Sequence, residues 1–259
     1  MPDPVIDYTL HLADSSLIMG HRLSELTGHG PMLEQDIAMS NIALDLIGQS
    51  RNFYQYAASL INNGDRTSSE EATEDTLAYL RDTRDFKNFL IAELTNGDWA
   101  KTILKLFFFS AYQFYLYQRL NDSSDKQLAA IAEKSLKEVT YHLRWSSEWV
   151  MRLGDGTEES NRRMKLAIEE VWPFTGEMFE MVSYEKDLLQ KQVSANVGEL
   201  KLVWDEKVKE IFAAATLEYV GDKNAWMQSG GKTGVHTEQL GFILAEMQFL
   251  QRAYPGCEW

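Results

Sequence analysis

From Met32 to about Ile61 the chain reads MLEQDIAMSNIALDLIGQSRNFYQYAASLI, with apolar residues returning every three or four positions. That period predicts one long helix with a buried stripe and a polar side, about 45 Å long at 1.5 Å per residue. A first helix is predicted from about Asp7 to Leu26, closed by TGHGP, whose glycines and proline stop one helix and start the next. NNGDRTSSEEATED is a polar, acidic loop, and a short helix with an irregular segment follows between Thr76 and Thr95. Two further long helices are predicted. Gly97 to Leu120 opens with Asp98 as its N-cap, and Ser123 to Gly154 ends on a C-cap glycine. Beyond them lie a helix near Glu158 to Met181 interrupted around WPFTG, a polar connection, a helix near Ala195 to Tyr219, and a last helix from about Thr237 to Tyr254. No segment of useful length alternates polar with apolar, and no repeat recurs at solenoid spacing. Four long helices in two hairpin pairs predict one all-α domain over residues 1–259, a four-helix bundle with additional C-terminal helices.

Composition narrows the class of function. The 259 residues are 44% hydrophobic, with seven Trp, eleven Tyr and twelve Phe, which a disordered chain does not carry. A formal charge of -14 without clustered Lys and Arg argues against nucleic acid as a partner. The single cysteine, Cys257, rules out a disulfide framework or a cysteine zinc site within the chain and suits a reducing cytoplasm. MPDPVIDYTL lacks the basic-then-apolar order of a signal peptide, and no apolar run approaches the ~20 residues that cross a bilayer, so no membrane location is expected.

KSLKEVTYHLRW raises the chemical question, because it carries Glu138-x-x-x-His142. Helical carboxylate-bridged di-iron proteins use Glu-x-x-His on two helices and one further Glu on each of the other two. The residues three before the five histidines are Tyr8, Ile18, Leu26, Val139 and Thr233, none acidic. Ala100 to Leu120 contains no Asp or Glu, and three positions after Asp45 stands Gly48. Asp14, Asp45, Glu138 and His142 are therefore candidates for a degenerate metal site, with no catalytic residue assigned. If they face the bundle interior they must be paired, since an unpaired buried charge costs several kcal/mol. Lys134 and His142, four positions either side of Glu138, fit a simple charge network on one helix face.

Other motifs carry less. His21, Glu25 and His29 share a helix face as a weak metal hypothesis, with His29 better read as part of the capping turn. SGGKTG lacks the first Walker glycine, since Trp226 stands there, and is read as a tight turn whose Lys232 and backbone amides are placed to meet an anion. Gly-x-Ser-x-Gly is absent, and Cys257 has no neighbouring histidine. The aromatic run KLFFFSAYQFYLYQ is read as core rather than subunit interface.

Several stretches together resemble a known family: YTLHLADSSLIMGHRLSELTGHGPMLEQDIAMSNIALDLIGQSRNFYQYAA, TLAYLRDTRDFKNFLIAE, KEVTYHLRWSSEWVMRLGDGT and SGGKTGVHTEQLGFILAEMQFLQRAYPGCEW. They are similar to the PaaC family of structural subunits of bacterial phenylacetyl-CoA epoxidase, over nearly the whole chain. The resemblance implies a ferritin-like fold and a non-catalytic chain within a multicomponent monooxygenase of aerobic phenylacetate degradation. It implies as partner a related catalytic subunit, PaaA, which carries the di-iron centre and epoxidises the ring of phenylacetyl-CoA. Further epoxidase subunits are implied, as is a reductase with NADPH, FAD and an iron-sulfur cluster. It also implies that Asp85, Phe86, Lys87 and Asn88, beside Arg81 and Arg84, approach the CoA substrate held by the partner. Two rival readings are a catalytic di-iron oxygenase with Asp14, Asp45, Glu138 and His142 as atypical ligands, and a homo-oligomeric acyl-CoA-binding protein.

Overall fold

The computed structural model describes residues 3–64, 71–221 and 226–257. Eleven helices occur among these residues, in the order α1 (Pro4–Ser24), α2 (Leu33–Asn63), α3 (Glu74–Tyr79), α4 (Leu90–Glu93), α5 (Trp99–Leu120), α6 (Lys126–Gly154), α7 (Glu158–Val171), α8 (Ser183–Gln190), α9 (Val197–Ala214), α10 (Glu238–Met247) and α11 (Phe249–Ala253). Short 3-10 turns occupy Thr83–Asp85, Trp172–Phe174, Gly176–Phe179 and Gly231–Thr233. Among the described residues there is no strand, and two long helical hairpins dominate, as an all-α, ferritin-like fold requires. The chain divides into two compact units, Met1–Thr95 with Gly230–Trp259, and Asn96–Ser229.

In the first unit α1 begins three residues earlier than the hydrophobic period suggests. Asp3 accepts the Val5 amide at 3.0 Å and Pro4 supplies a preset φ in the first turn. The helix is buried almost all round and carries Thr9, His11, Asp14, Ser15, Ser16 and Arg22 inside the protein. The turn to α2 is held by Asp36, whose Oδ1 accepts the amides of Gly28 and Gly30 at 2.8 and 3.0 Å. α1 and α2 approach closely at Gly20, where an added Cβ would lie 3.2 Å from the Ala43 carbonyl oxygen. Residues 65–70 of the acidic loop lie outside the described residues.

The second unit pairs α5 with α6. Asp98 caps α5 by accepting the Lys101 amide at 3.0 Å, and Asp125 caps α6 by accepting two amides, of Gln127 and Leu128, each at 3.0 Å. The aromatic run of α5 is core: Phe107, Phe108, Phe109, Tyr112 and Tyr117 are buried, and Phe108 packs on Trp172, Trp204 and Phe212. The Trp204 indole donates to the Phe108 carbonyl at 3.0 Å.

Three expectations need correction. Gly154 does not cap α6; it is the last helical residue and Asp155 caps it. The glycine is required because a Cβ there would lie 2.3 Å from the Ala215 carbonyl oxygen. The polar connection after WPFTG contains α8, whose buried Tyr184, Glu185 and Leu188 are too few to give a readable period. The final helix is broken at Gln248, whose side-chain amide is buried and donates to the carbonyls of Ala78 and Arg81.

Candidate functional site

Between α3 and α4, residues 81–89 run largely without helix, so their backbone groups need partners from elsewhere. α1 and the arm formed by residues 230–257 supply them. The Lys87 amide donates to Asp14 Oδ2 at 2.8 Å, and the Lys87 carbonyl accepts from His11 Nδ1 at 2.7 Å. The Phe86 carbonyl accepts from His236 Nε2 at 2.8 Å, the Phe89 amide donates to Ser15 Oγ at 3.3 Å, and Arg81 Nη1 donates to the Asp85 carbonyl at 2.9 Å. Gly234 sits against the Arg84 carbonyl with φ +82°, a conformation and a proximity that exclude a side chain.

Two buried charge clusters flank this segment. In one, Asp14 accepts both terminal nitrogens of Arg81 and the Tyr54 hydroxyl, the latter at 2.5 Å. The Arg81 guanidinium also stacks over the Phe86 ring at 4.3 Å. Burial, and then the Asp14 charge, push the Tyr54 hydroxyl well above the usual tyrosine range, so it donates as a neutral phenol. In the other cluster, Glu93 Oε1 accepts from His236 Nδ1 at 2.6 Å and from Asn88 Nδ2 at 2.9 Å. Its Oε2 accepts the Thr237 amide at 2.9 Å and the Thr237 hydroxyl at 2.6 Å. Arg22 Nε closes α4 by donating to the Glu93 carbonyl at 2.9 Å.

The two histidines beside the segment are shifted in opposite directions. Burial, reinforced by the nearby Lys232 ammonium, lowers the His11 pKa to about 3, so this imidazole is neutral and donates through Nδ1 to the Lys87 carbonyl. Burial also opposes charge on His236, but the hydrogen bond and charge of Glu93, with the Phe86 carbonyl and Asp14, outweigh it and raise the pKa. Both ring nitrogens of His236 face acceptors that carry no proton, which fits the imidazolium.

Of the residues singled out from sequence, Asp14 and the 85–88 stretch come together here. Phe86 and Asn88 are buried as anchors, Asp85 and Arg84 are exposed, and Lys87 is half-buried with its ammonium 3.4 Å from Asp7. Beside Asp82 and Thr83 an open groove of about 510 Å³ is lined also by Leu244, Gln248, Phe249 and Arg252. Asp45 lies half-buried on α2, while Glu138 and the buried His142 lie one turn apart on α6. His29 is exposed and bonds the Thr27 carbonyl in the capping turn. SGGKTG forms a tight turn with positive φ at Gly230 and Gly234, and Lys232 is buried against the Phe89 ring at 5.6 Å.

These residues do not fit a carboxylate-bridged metal pair. Both oxygens of Asp14 are taken by Arg81, Tyr54 and the Lys87 amide, and α5 carries no Asp or Glu that could supply a carboxylate. Among the described residues no three His, Cys, Asp or Glu side chains are placed to hold a metal ion.

Glu93, His236 and His11 were not picked out by motif. Glu93 shows as a lone acid in the apolar run FLIAEL, and His11 as a histidine set between two leucines of α1. His236 stands 143 positions from Glu93, a separation that no local pattern spans.

The sequence profile described as Phenylacetic acid catabolic protein matches residues 2–259. The chain is also 45% identical over 252 residues to the subunit designated C of the 1,2-phenylacetyl-CoA epoxidase of Escherichia coli (strain K12), covering 97% of this chain and 98% of that protein. A match over this length, carried through the segment and the arm that build the site, shows that the chain belongs to the phenylacetic acid catabolic protein family.

Proposed function

We propose that this chain is the scaffold subunit of a phenylacetyl-CoA epoxidase, not catalytic by itself, which stabilises a related di-iron subunit, PaaA. The reading is supported by the similarity to the Escherichia coli epoxidase subunit. The observation that carries the scaffold role is the state of Asp14: a carboxylate in helix α1, able in kind to hold iron, is saturated by Arg81, Tyr54 and a backbone amide. Iron, NADPH, FAD and the iron-sulfur cluster then belong to the partner subunit and the reductase, and the substrate is held mainly by the partner. Residues 84–88 are the substrate-facing part of this chain: Lys87 and Arg84 offer an ammonium and a guanidinium to CoA phosphates, chemistry suited to both groups. Phe86 and Asn88 support that face from inside.

The test is iron content and epoxidation by the purified chain alone and co-expressed with its di-iron partner. The scaffold reading expects no stoichiometric iron in the isolated chain, a stable complex, and turnover only when both subunits are present. About two irons bound per isolated chain would overturn it in favour of a di-iron oxygenase with atypical ligands.

A further inference from the structure

We propose that the buried Glu93–His236 pair is the positioning device of residues 85–88, fixing the backbone from which Lys87 meets an acyl-CoA phosphate. The substrate clause rests on the function proposed above; the positioning clause stands on the geometry alone. His236 bridges two things that are distant in sequence: its Nδ1 donates to Glu93 at 2.6 Å and its Nε2 to the Phe86 carbonyl at 2.8 Å. The ring is almost fully covered, with its side chain 1% exposed and that of Glu93 0% exposed. The same carboxylate takes Asn88 Nδ2, so one Glu93 side chain anchors both ends of the Phe86–Asn88 stretch, directly at Asn88 and through His236 at Phe86. Thr237 donates twice to the other oxygen, which holds Glu93 in place from the arm.

The device depends on charge. Both acceptors of His236 lack protons, and a neutral imidazole has one N–H, so loss of the proton forfeits either the Glu93 bond or the Phe86 bond. The segment then loses a clamp while its remaining ties, from His11, Asp14, Ser15 and Arg81, persist. The charged groups around the pair are Asp14 with Arg81, Arg22 on the Glu93 carbonyl, and Lys87 and Lys232 near His11. His11 is neutral throughout the range in which His236 titrates, so the switch belongs to one ring.

Amide hydrogen exchange of the full chain between about pH 6 and 9, corrected for intrinsic rates, tests the positioning clause. Protection of the Phe86, Lys87, Asn88 and Phe89 amides is expected to fall by about tenfold or more as His236 deprotonates, with the amides of α5 unaffected. In His236→Gln that protection is low at every pH and the pH dependence is gone. Protection that stays constant with pH in the native chain overturns the proposal, and that series needs no variant to fold. The substrate clause is read in the assembled epoxidase: His236→Gln and Lys87→Ala each raise KM for phenylacetyl-CoA about five- to tenfold with kcat unchanged. If exchange responds while neither KM moves, positioning stands and the substrate contact falls.

Discussion

At Asp14 two oxygens meet four donors, and the side chain has no exposure at all. Such a group is stable only as a pair, because attraction at close range offsets the loss of hydration that each charge suffers. Asp14→Asn keeps the shape and removes the charge, leaving Arg81, with a side chain 12% exposed, buried without its counter-ion. A stability loss of about 3–5 kcal/mol is expected from equilibrium urea unfolding, the range for breaking one side of a buried pair. A loss below about 1 kcal/mol would mean that Arg81 reaches solvent without cost. The exposed Glu159, which meets Arg162 and Arg163, makes the contrast. All three side chains are about half exposed, and salt bridges of that kind contribute little.

At the scale of elements, the long helices were the most legible feature and their ends less so. Asp98 is the N-cap that the sequence indicates, and the aromatic α5 is the core helix that its composition implies. What stayed hidden were contacts between remote segments. Gly154 reads as a C-cap until Ala215, sixty-one positions on, is found against it; α8 is too short to display a period. The site divides the same way: Asp14 was singled out from the residues and 85–88 by the family resemblance, whereas Glu93 and His236 stand 143 positions apart and no local pattern links them. Two substitutions separate local from remote causes. Asp125→Ala removes a cap that accepts two amides and is expected to cost about 1 kcal/mol. Gly234→Ala places a Cβ 2.4 Å from the Arg84 carbonyl oxygen at φ +82°, adding about 1–2 kcal/mol of backbone strain to about 1–3 kcal/mol of overpacking. Thermal unfolding of both variants should therefore show the glycine change as the larger. Equal losses would mean that the 230–234 turn shifts freely away from the 84–86 segment.

For the whole molecule, the two histidines predict a stability maximum close to neutral pH. His11 has a folded pKa of about 3 against 6.5 unfolded, so below pH 6.5 the unfolded chain binds the extra proton. Stability then falls as pH drops from 6.5 towards 3, by up to ~5 kcal/mol from this residue. His236 works in the opposite sense. Its folded pKa is raised, so its contribution is full below pH 6.5 and is lost as pH climbs through the folded value. Urea unfolding at a series of pH values should show both limbs, with His11→Gln flattening the acid limb and His236→Gln the alkaline one. Six of the seven tryptophans, Trp99, Trp145, Trp149, Trp172, Trp204 and Trp226, lie in Asn96–Ser229, whereas both histidines lie in the other unit. Tryptophan fluorescence therefore follows mainly the Asn96–Ser229 unit, the seventh tryptophan, Trp259, belonging to the other, while circular dichroism follows both. If residues 1–259 act as one ferritin-like domain, the two probes give coincident transitions and fluorescence itself carries both histidine limbs. A fluorescence transition indifferent to His11→Gln and His236→Gln, beside a circular dichroism transition that shifts with each, would instead make the two units independent in stability. The pH sensitivity would then belong only to the unit that bears the 81–93 segment.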